Sequence, residues 1–327
     1  FGRDGAVALV GAWDFFPGRL LSGQEALRAP REGFRRVPDL WSGADAGGEE
    51  GRGAGTYRLR VLLPASLIEP AIRYSTVSTA FELEADAVPI AAAGYPSADP
   101  SMAVAAYRPD VASLPRGESL VLVIRVSNHE YRAGGMWRPF LVGDRPSLER
   151  LERTAQAVAF AESAALATLA FSFFLFYVNR RRERAFLFFA LLLLVISLRT
   201  LVTGEYILVR IFPSLRFDAL IRLEYVSVFS AVPLAVHFFS SLFPDEPRRK
   251  LLLATLFPYA ALVLLLPWVP IPLLTRTVRV QYAAAALAMA ATTALVLVPA
   301  LLHRRRDSVL EFAGALVLLI MGANDML

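Results

Sequence analysis

A chain of 327 residues that is 56% hydrophobic, with a mean hydropathy of +0.48, exceeds the roughly 45–50% apolar content of soluble domains, which excludes an ordinary soluble protein. Its net charge of +5 does not mark a nucleic-acid binder, because the basic residues come as short runs between apolar stretches; membrane topology accounts for such runs. The absence of cysteine excludes both a disulfide framework and a thiolate metal site.

Residues 1–150 have globular character, rich in Gly, Pro and Arg, and the apolar excess begins after about Thr154. Two domains are expected, 1–150 and 151–327. The chain opens at Phe1 without a signal-peptide pattern, so a cut or mature N-terminus is expected. Tyr57–Leu63 alternates apolar and charged residues before Pro64, the pattern of a half-buried strand. Ile72–Val77, Phe81–Ala85 and Leu120–Val126 read similarly, with turn residues between them. Short strands without a convincing amphipathic helix predict a β-sandwich. Pro38–Gly55 reads as a surface loop. Gly51–Thr56 is not a phosphate-binding loop, since it opens a strand and lacks the Gly-Lys-Ser/Thr ending. Leu148–Arg153 leads directly into the first apolar stretch.

Six stretches approach the roughly 20 apolar residues that a bilayer requires: about 155–178, 185–203, 217–242, 251–269, 278–302 and 308–327. The runs 180–184, 245–250 and 304–307 hold ten Lys and Arg, against three in the alternate loops, Arg210, Arg216 and Arg276. The positive-inside bias puts those runs in the cytoplasm and residues 1–154 outside. Six spans entered from outside also end outside, and Leu327 falls inside an apolar run, so a seventh span and a cytoplasmic part are expected beyond it.

Trp41, Asn128, His129, Tyr131, Arg132 and Trp137 combine rings with polar tips and hydrogen-bonding groups, the mixture that grips a sugar-like ligand. The plainer alternative makes Trp13 and Trp41 core anchors and has Asn128 satisfy backbone groups at a strand end. Charges at membrane depth are expensive and generally paired. Arg199, Glu205, Arg222, Glu224 and Asp325 fall at similar depth, as either a polar relay layer or side chains snorkelling to the headgroups. Glu162 is deeper and is expected to face the bundle interior. His129, His237 and His303 lie on segments too far apart to share a metal, and neither a nucleophile elbow nor a zinc-protease helix is present. No cofactor is implied.

Several runs, in order, carry a resemblance: Val10–Phe15, Leu20-Leu21, Val37–Trp41, Gly55–Val61, Val126–Asn128, Gly134-Gly135 and Leu141–Gly143. They resemble the jelly-roll sensor domain of bacterial seven-transmembrane receptors with diverse intracellular signalling modules, a domain similar to the sugar-binding sandwich of glycoside hydrolase family 2. Arg180–Arg184 with Phe186–Ala190, Leu198-Arg199, Gly204–Tyr206, Arg222–Tyr225, Leu242–Pro244 and Asn324–Leu327 resemble the same family's membrane half. One departure is Ala85-Asp86-Ala87, where such domains often carry an Asn-Gly turn. The resemblance implies a galactose-binding-like jelly roll followed by an all-α transmembrane bundle in a bacterial inner membrane. Its partners would be the bilayer, an extracytoplasmic small ligand such as a sugar, and a cytoplasmic signalling module in cis or trans. Oligomeric state is left open, a homodimer included. A receptor is the leading reading; a carbohydrate-processing enzyme, which needs paired carboxylates at a cleft, and a transporter, which needs repeats or broken helices, are the alternatives.

Overall fold

The computed structural model describes residues 5–41, 51–243 and 257–303. It divides into two compact units, Phe1–Val158 with Glu205–Leu220, and Ala159–Gly204 with Ile221–Leu327.

The first unit is a two-sheet β-sandwich. Strands β1 (Ala6–Ala8), β10 (Leu141–Asp144), β5 (Pro70–Tyr74) and β8 (Asp110–Ser113) form one sheet in the order β1-β10-β5-β8. The other runs β3-β2-β4-β9-β6-β7, from β2 (Gly11–Pro17), β3 (Phe34–Val37), β4 (Gly53–Leu62), β6 (Ala80–Ala85), β7 (Val88–Ala93) and β9 (Ser119–Asn128). All the pairings are antiparallel. Alternation sends Trp13, Phe15, Tyr57, Leu83, Ile124, Ile72, Tyr74 and Val142 from the two sheets into one core. The opposite face of the larger sheet is covered in part by the short helix α1 (Gly23–Arg28), which joins Phe16 and Val123 to Leu21 and Ala26 in a second cluster. Ser22 and Glu25 form a capping box at its start. Arg58 ties the helix down, donating to Asp14 at 2.7 Å and to the carbonyls of Ala26 and Ala29.

Two expectations are corrected. Residues 53–55 do not belong to a loop: they begin β4, where Gly55 leaves room for the Phe15 ring, which a Cβ would meet at 2.6 Å. Residues 42–50 of the expected loop lie outside the described residues. The turn from β6 to β7 places Asp86 at φ 49° and Ala87 at φ 65°, so the left-handed conformation usual for Asn-Gly hairpins is kept without those residues.

Four helices among the described residues are long and apolar enough to cross a bilayer: α2 (Arg145–Asn179), α3 (Arg184–Val202), α5 (Phe217–Leu242) and α8 (Val278–Leu302). The short helix α4 (Ile207–Ile211) follows α3, and α6 (Phe257–Leu265) and α7 (Ile271–Arg276) precede α8. Thus α7 occupies most of the expected loop 270–277, with Pro272 in its first turn, where a missing N–H does no harm. The expected span 308–327 lies outside the described residues, as does the start of 251–269. In the second unit Ser163 and Ser197 join α2 to α3 through hydroxyls 2.9 Å apart, the small polar contact that lets membrane helices approach closely. Val236, Phe239 and Phe243 pack against Val296, Leu297 and Ala300. A π-helical turn at Thr293–Leu297 adjoins Pro299, which has no N–H to donate within α8. Phe160, Leu169, Phe171 and Phe176 of α2 are exposed, as on a helix solvated by lipid. Glu162 is exposed as well, where the bundle interior was expected.

Candidate functional site

Strand β5 reads Pro-Ala-Ile-Arg-Tyr. Ile72 and Tyr74 enter the core, so alternation turns Arg73 to the outer face of the smaller sheet. There its guanidinium binds two carboxylates. Arg73 Nε pairs with Glu152 Oε2 on α2, and Nη2 donates to Glu205 Oε2 at 2.8 Å. The other oxygen of Glu152 accepts from Arg210 of α4 and, at 2.8 Å, from Gln156 one turn along α2. Arg210 also donates to Pro109 O at 2.5 Å. The side chain of Glu152 is 6% exposed and that of Arg210 29%. Burial opposes the charge on Arg73, but its hydrogen bond and attraction to Glu152, and then to Glu205, outweigh this and hold its pKa above the ordinary value.

This four-charge cluster is neutral, and its members sit at informative places along the chain. Glu152 lies on α2, Glu205 just after α3, and Arg210 on α4, which leads into α5. Tyr107 fastens the same connection, its ring edge-on to Tyr206 at 5.3 Å and to Phe217 at 5.0 Å.

A second feature is a cavity of about 990 Å³ at the β3 edge, lined by Phe34, Arg35, Arg36, Asp39 and Trp137 among others. A polar chain runs from the buried core to Asp39 and Arg35 in the cavity wall. Trp41 Nε1 donates to Tyr57 Oη at 2.6 Å, Tyr57 donates to Asp39 Oδ2 at 3.1 Å, and Arg35 Nε pairs with that carboxylate at 2.5 Å. Burial, then the charge of Asp39, pushes the Tyr57 hydroxyl well above its usual pKa. Tyr57 therefore remains a neutral donor. Arg35 is also held over the Phe15 ring at 5.3 Å.

The residues singled out from sequence divide between these places. Trp41 is 1% exposed and packed by Gly134 and Gly135, whose added Cβ atoms would lie 2.4 and 3.0 Å from its ring. Asn128 is fully buried, donating to the carbonyls of Gly51 and Tyr131 and accepting from Tyr131 N. Both are internal fixtures, not surfaces open to a ligand. Tyr131 is buried beside Trp137 at 5.2 Å, His129 hydrogen-bonds Ser97 O, and Arg132 is exposed. Of the six, Trp137 lines the cavity. Among the relay residues Glu205 meets Arg73, while Arg222 of the second unit donates to the carbonyls of Leu266 and Val269. Neither bond joins two members of the expected layer. Arg199 and Glu224 lie on α3 and α5, and Asp325 lies outside the described residues. Sequence reasoning missed Arg73, Glu152 and Arg210. The signal for Arg73 was a lone cation between buried strand residues.

A β-sandwich continued along the chain by apolar helices of spanning length defines a multi-pass membrane protein with a folded domain ahead of its first span. Residues 159–327 match the model of the 7TM diverse intracellular signalling family, and the chain belongs to that family of membrane signalling receptors. No curated protein matches the sequence. Solved structures similar to part of the chain include three glycosidases. One is a β-glucuronidase of Faecalibacterium prausnitzii, 15% identical over 42% of this chain and 31% of that one, with a TM-score of 0.32. Another is a glycosyl hydrolase family 2 member from Bacteroides cellulosilyticus, 17% identical over 42% and 20%, with a TM-score of 0.33. The third is the β-glucuronidase of Ruminococcus gnavus in complex with D-glucuronic acid, 15% identical over 42% and 29%, with a TM-score of 0.32. This chain thus spans less than a third of each of those proteins, and likeness at that level carries no inference about activity.

Proposed function

We propose that this receptor senses a carbohydrate-like ligand outside the cytoplasm. Residues 1–150 serve as the sensor domain, and residues 151–327 carry the signal across a bacterial inner membrane to a cytoplasmic signalling module. The observation that carries the ligand reading is the cavity beside Trp137. An aromatic ring can stack on the face of a sugar, while the fixed Arg35-Asp39 pair offers donors and an acceptor to adjacent hydroxyls. The chain Trp41-Tyr57-Asp39 holds that acceptor in place, so little ordering is left for binding to impose. Orientation follows from the arginine-rich connection 180–184, which the positive-inside bias assigns to the cytoplasm.

The test uses the whole chain in lipid nanodiscs. It is screened on an array of neutral and acidic glycans, and the hits are titrated by calorimetry. Trp137→Ala is expected to weaken binding by about tenfold or more, the scale of one lost stacking contact. A glycan whose affinity is unchanged by both Trp137→Ala and Asp39→Asn binds elsewhere and refutes the assignment. An array without a hit refutes the ligand class.

A further inference from the structure

We propose that a second cleft, between residues 94–108 of the sandwich and residues 209–220, binds the headgroup of a zwitterionic phospholipid of the phosphatidylethanolamine kind. The phosphate would sit on Arg108 and Arg216, and the ammonium on Glu130 and Asp218. The cleft has a volume of about 660 Å³, and all four charged residues line it. That size lies within the usual range for small-ligand sites.

Local structure explains why the cleft exists. Tyr95 and Val104 pair their backbones through bonds of 2.8 and 3.0 Å, bending the chain back on itself. Gly94 permits the bend, because it has φ +72° and a Cβ there would lie 2.0 Å from Val104 O. One wall is fastened by Tyr107 against Tyr206 and Phe217, and by Arg108 donating to Pro213 O at 3.3 Å. Tyr95 and Val104 are 56% and 58% exposed at its edge, which leaves apolar surface beside the charges.

Position and charge select the occupant. Residues 203–216 connect α3 to α5, two helices of spanning length. So short a connection is held at the bilayer surface, where phospholipid headgroups lie. Ile211 and Phe212 are about half exposed on it, as fits side chains that sit in the interface. Arg216 Nε lies 3.2 Å from Asp218 Oδ1, so cation and anion already alternate there. Two guanidiniums and two carboxylates leave the cleft without net charge. This suits a zwitterion, whose ammonium takes the carboxylates while its phosphate takes the guanidiniums, better than an anionic lipid, which brings no cation to Glu130 and Asp218. A primary ammonium donates hydrogen bonds to Glu130 and Asp218. The trimethylammonium of phosphatidylcholine has no such donors.

The experiment places the full chain in phosphatidylcholine nanodiscs doped with equal amounts of phosphatidylethanolamine and phosphatidylglycerol, and identifies retained lipid by native mass spectrometry. Phosphatidylethanolamine is expected to be retained at least tenfold over either competitor. Arg108→Ala with Arg216→Ala should abolish the retention, and Glu130→Gln with Asp218→Asn should erase the preference over phosphatidylglycerol. All four side chains are exposed or nearly so, and an unchanged melting temperature in each variant shows that the fold is intact. Equal retention of the three lipids, or retention unchanged in both double variants, overturns the proposal. So does soluble glycerophosphoethanolamine binding as tightly as the lipid, since that would make the ligand a free solute. Glycan binding at the β3 edge is a separate readout that none of these variants touches.

Discussion

Replacing Glu152 with alanine tests the importance of the four-charge cluster. Glu152 is 5% exposed and takes bonds from Arg73, Arg210 and Gln156. Removing one member of a buried ion pair generally costs about 3–5 kcal/mol, because the partner is left charged and desolvated. Here Arg73 and Arg210 are 18% and 29% exposed, so water recovers part of that cost. Arg73 also keeps Glu205 at 2.8 Å. The expected loss for Glu152→Ala is therefore about 2–3 kcal/mol. Glu205→Ala removes a more exposed carboxylate and leaves Arg73 its pairing with Glu152, and it should cost only about 1 kcal/mol. Denaturant unfolding of the full chain in nanodiscs, followed by the fluorescence of the buried core residues Trp13 and Trp41, measures both. A double-mutant cycle with Arg73→Ala isolates the pair, with an expected coupling above about 1 kcal/mol. A Glu152→Ala variant within about 0.5 kcal/mol of the parent, or a larger cost for Glu205→Ala, would refute the assignment of Glu152 as the hub.

Two further outcomes follow from the sandwich. The pKa of Tyr74 is pushed up from 10.0 to about 12, first by burial and then by the charge of Asp110. Its contribution to stability is complete below pH 10 and is lost as pH rises from 10 through about 12, on the order of 2–3 kcal/mol; Tyr74→Phe should flatten that part of a stability-versus-pH curve. Ala87 holds φ 65° in the β6–β7 turn, so Ala87→Gly should raise stability by about 0.5–1 kcal/mol in a denaturant titration, after the flexibility glycine adds to the unfolded chain.

Much of the sandwich was legible because strand alternation is a local signal. Tyr57–Leu63, Phe81–Ala85 and Leu120–Val126 all fall within or against strands of the larger sheet. Helix α1 had a signal too, the Ser22 and Glu25 spacing, but six residues are too few to show an amphipathic period. Four of the six expected spans fall on helices of spanning length among the described residues, since a run of about twenty mainly apolar residues matches the thickness of a bilayer and is rare in water-soluble folds. The charge cluster was harder to see. Arg73 and Glu152 are 79 positions apart, and Arg73 and Glu205 are 132, so nothing local announces the contact. Depth in the membrane grouped Glu205 with Arg199 and Arg222. Tertiary structure instead gives Glu205 a partner on a sandwich strand, a pairing that depends on which face of β5 turns outward. The ligand residues show the same limit: an aromatic ring in a loop-like stretch reads alike whether it is buried, as Trp41 is, or lines a cavity, as Trp137 does.

In the receptor we propose, the cluster suits switching better than stabilising. Glu152, Glu205 and Arg210 lie on stretches that continue along the chain into α2, back into α3 and onward into α5, so one sandwich side chain, Arg73, bears on the approaches to three helices. Because the cluster has two cations and two anions, a rearrangement in which Arg73 favours Glu205 over Glu152 changes no net charge and leaves no charge unpaired as long as Arg210 stays with Glu152. Its free-energy cost is then the difference between two similar ion pairs, about 1–2 kcal/mol, instead of the 3–5 kcal/mol of a broken one. Coupling between distant sites is usually about 1–3 kcal/mol. A ligand that prefers one arrangement by that margin shifts the two populations by roughly 5- to 150-fold. Glu152→Gln removes the carboxylate that both arginines share and should bias Arg73 toward Glu205. A double-mutant cycle between Arg73 and Glu205 should then give a larger coupling in the Glu152→Gln background than in the parent, and an unchanged coupling refutes the switch.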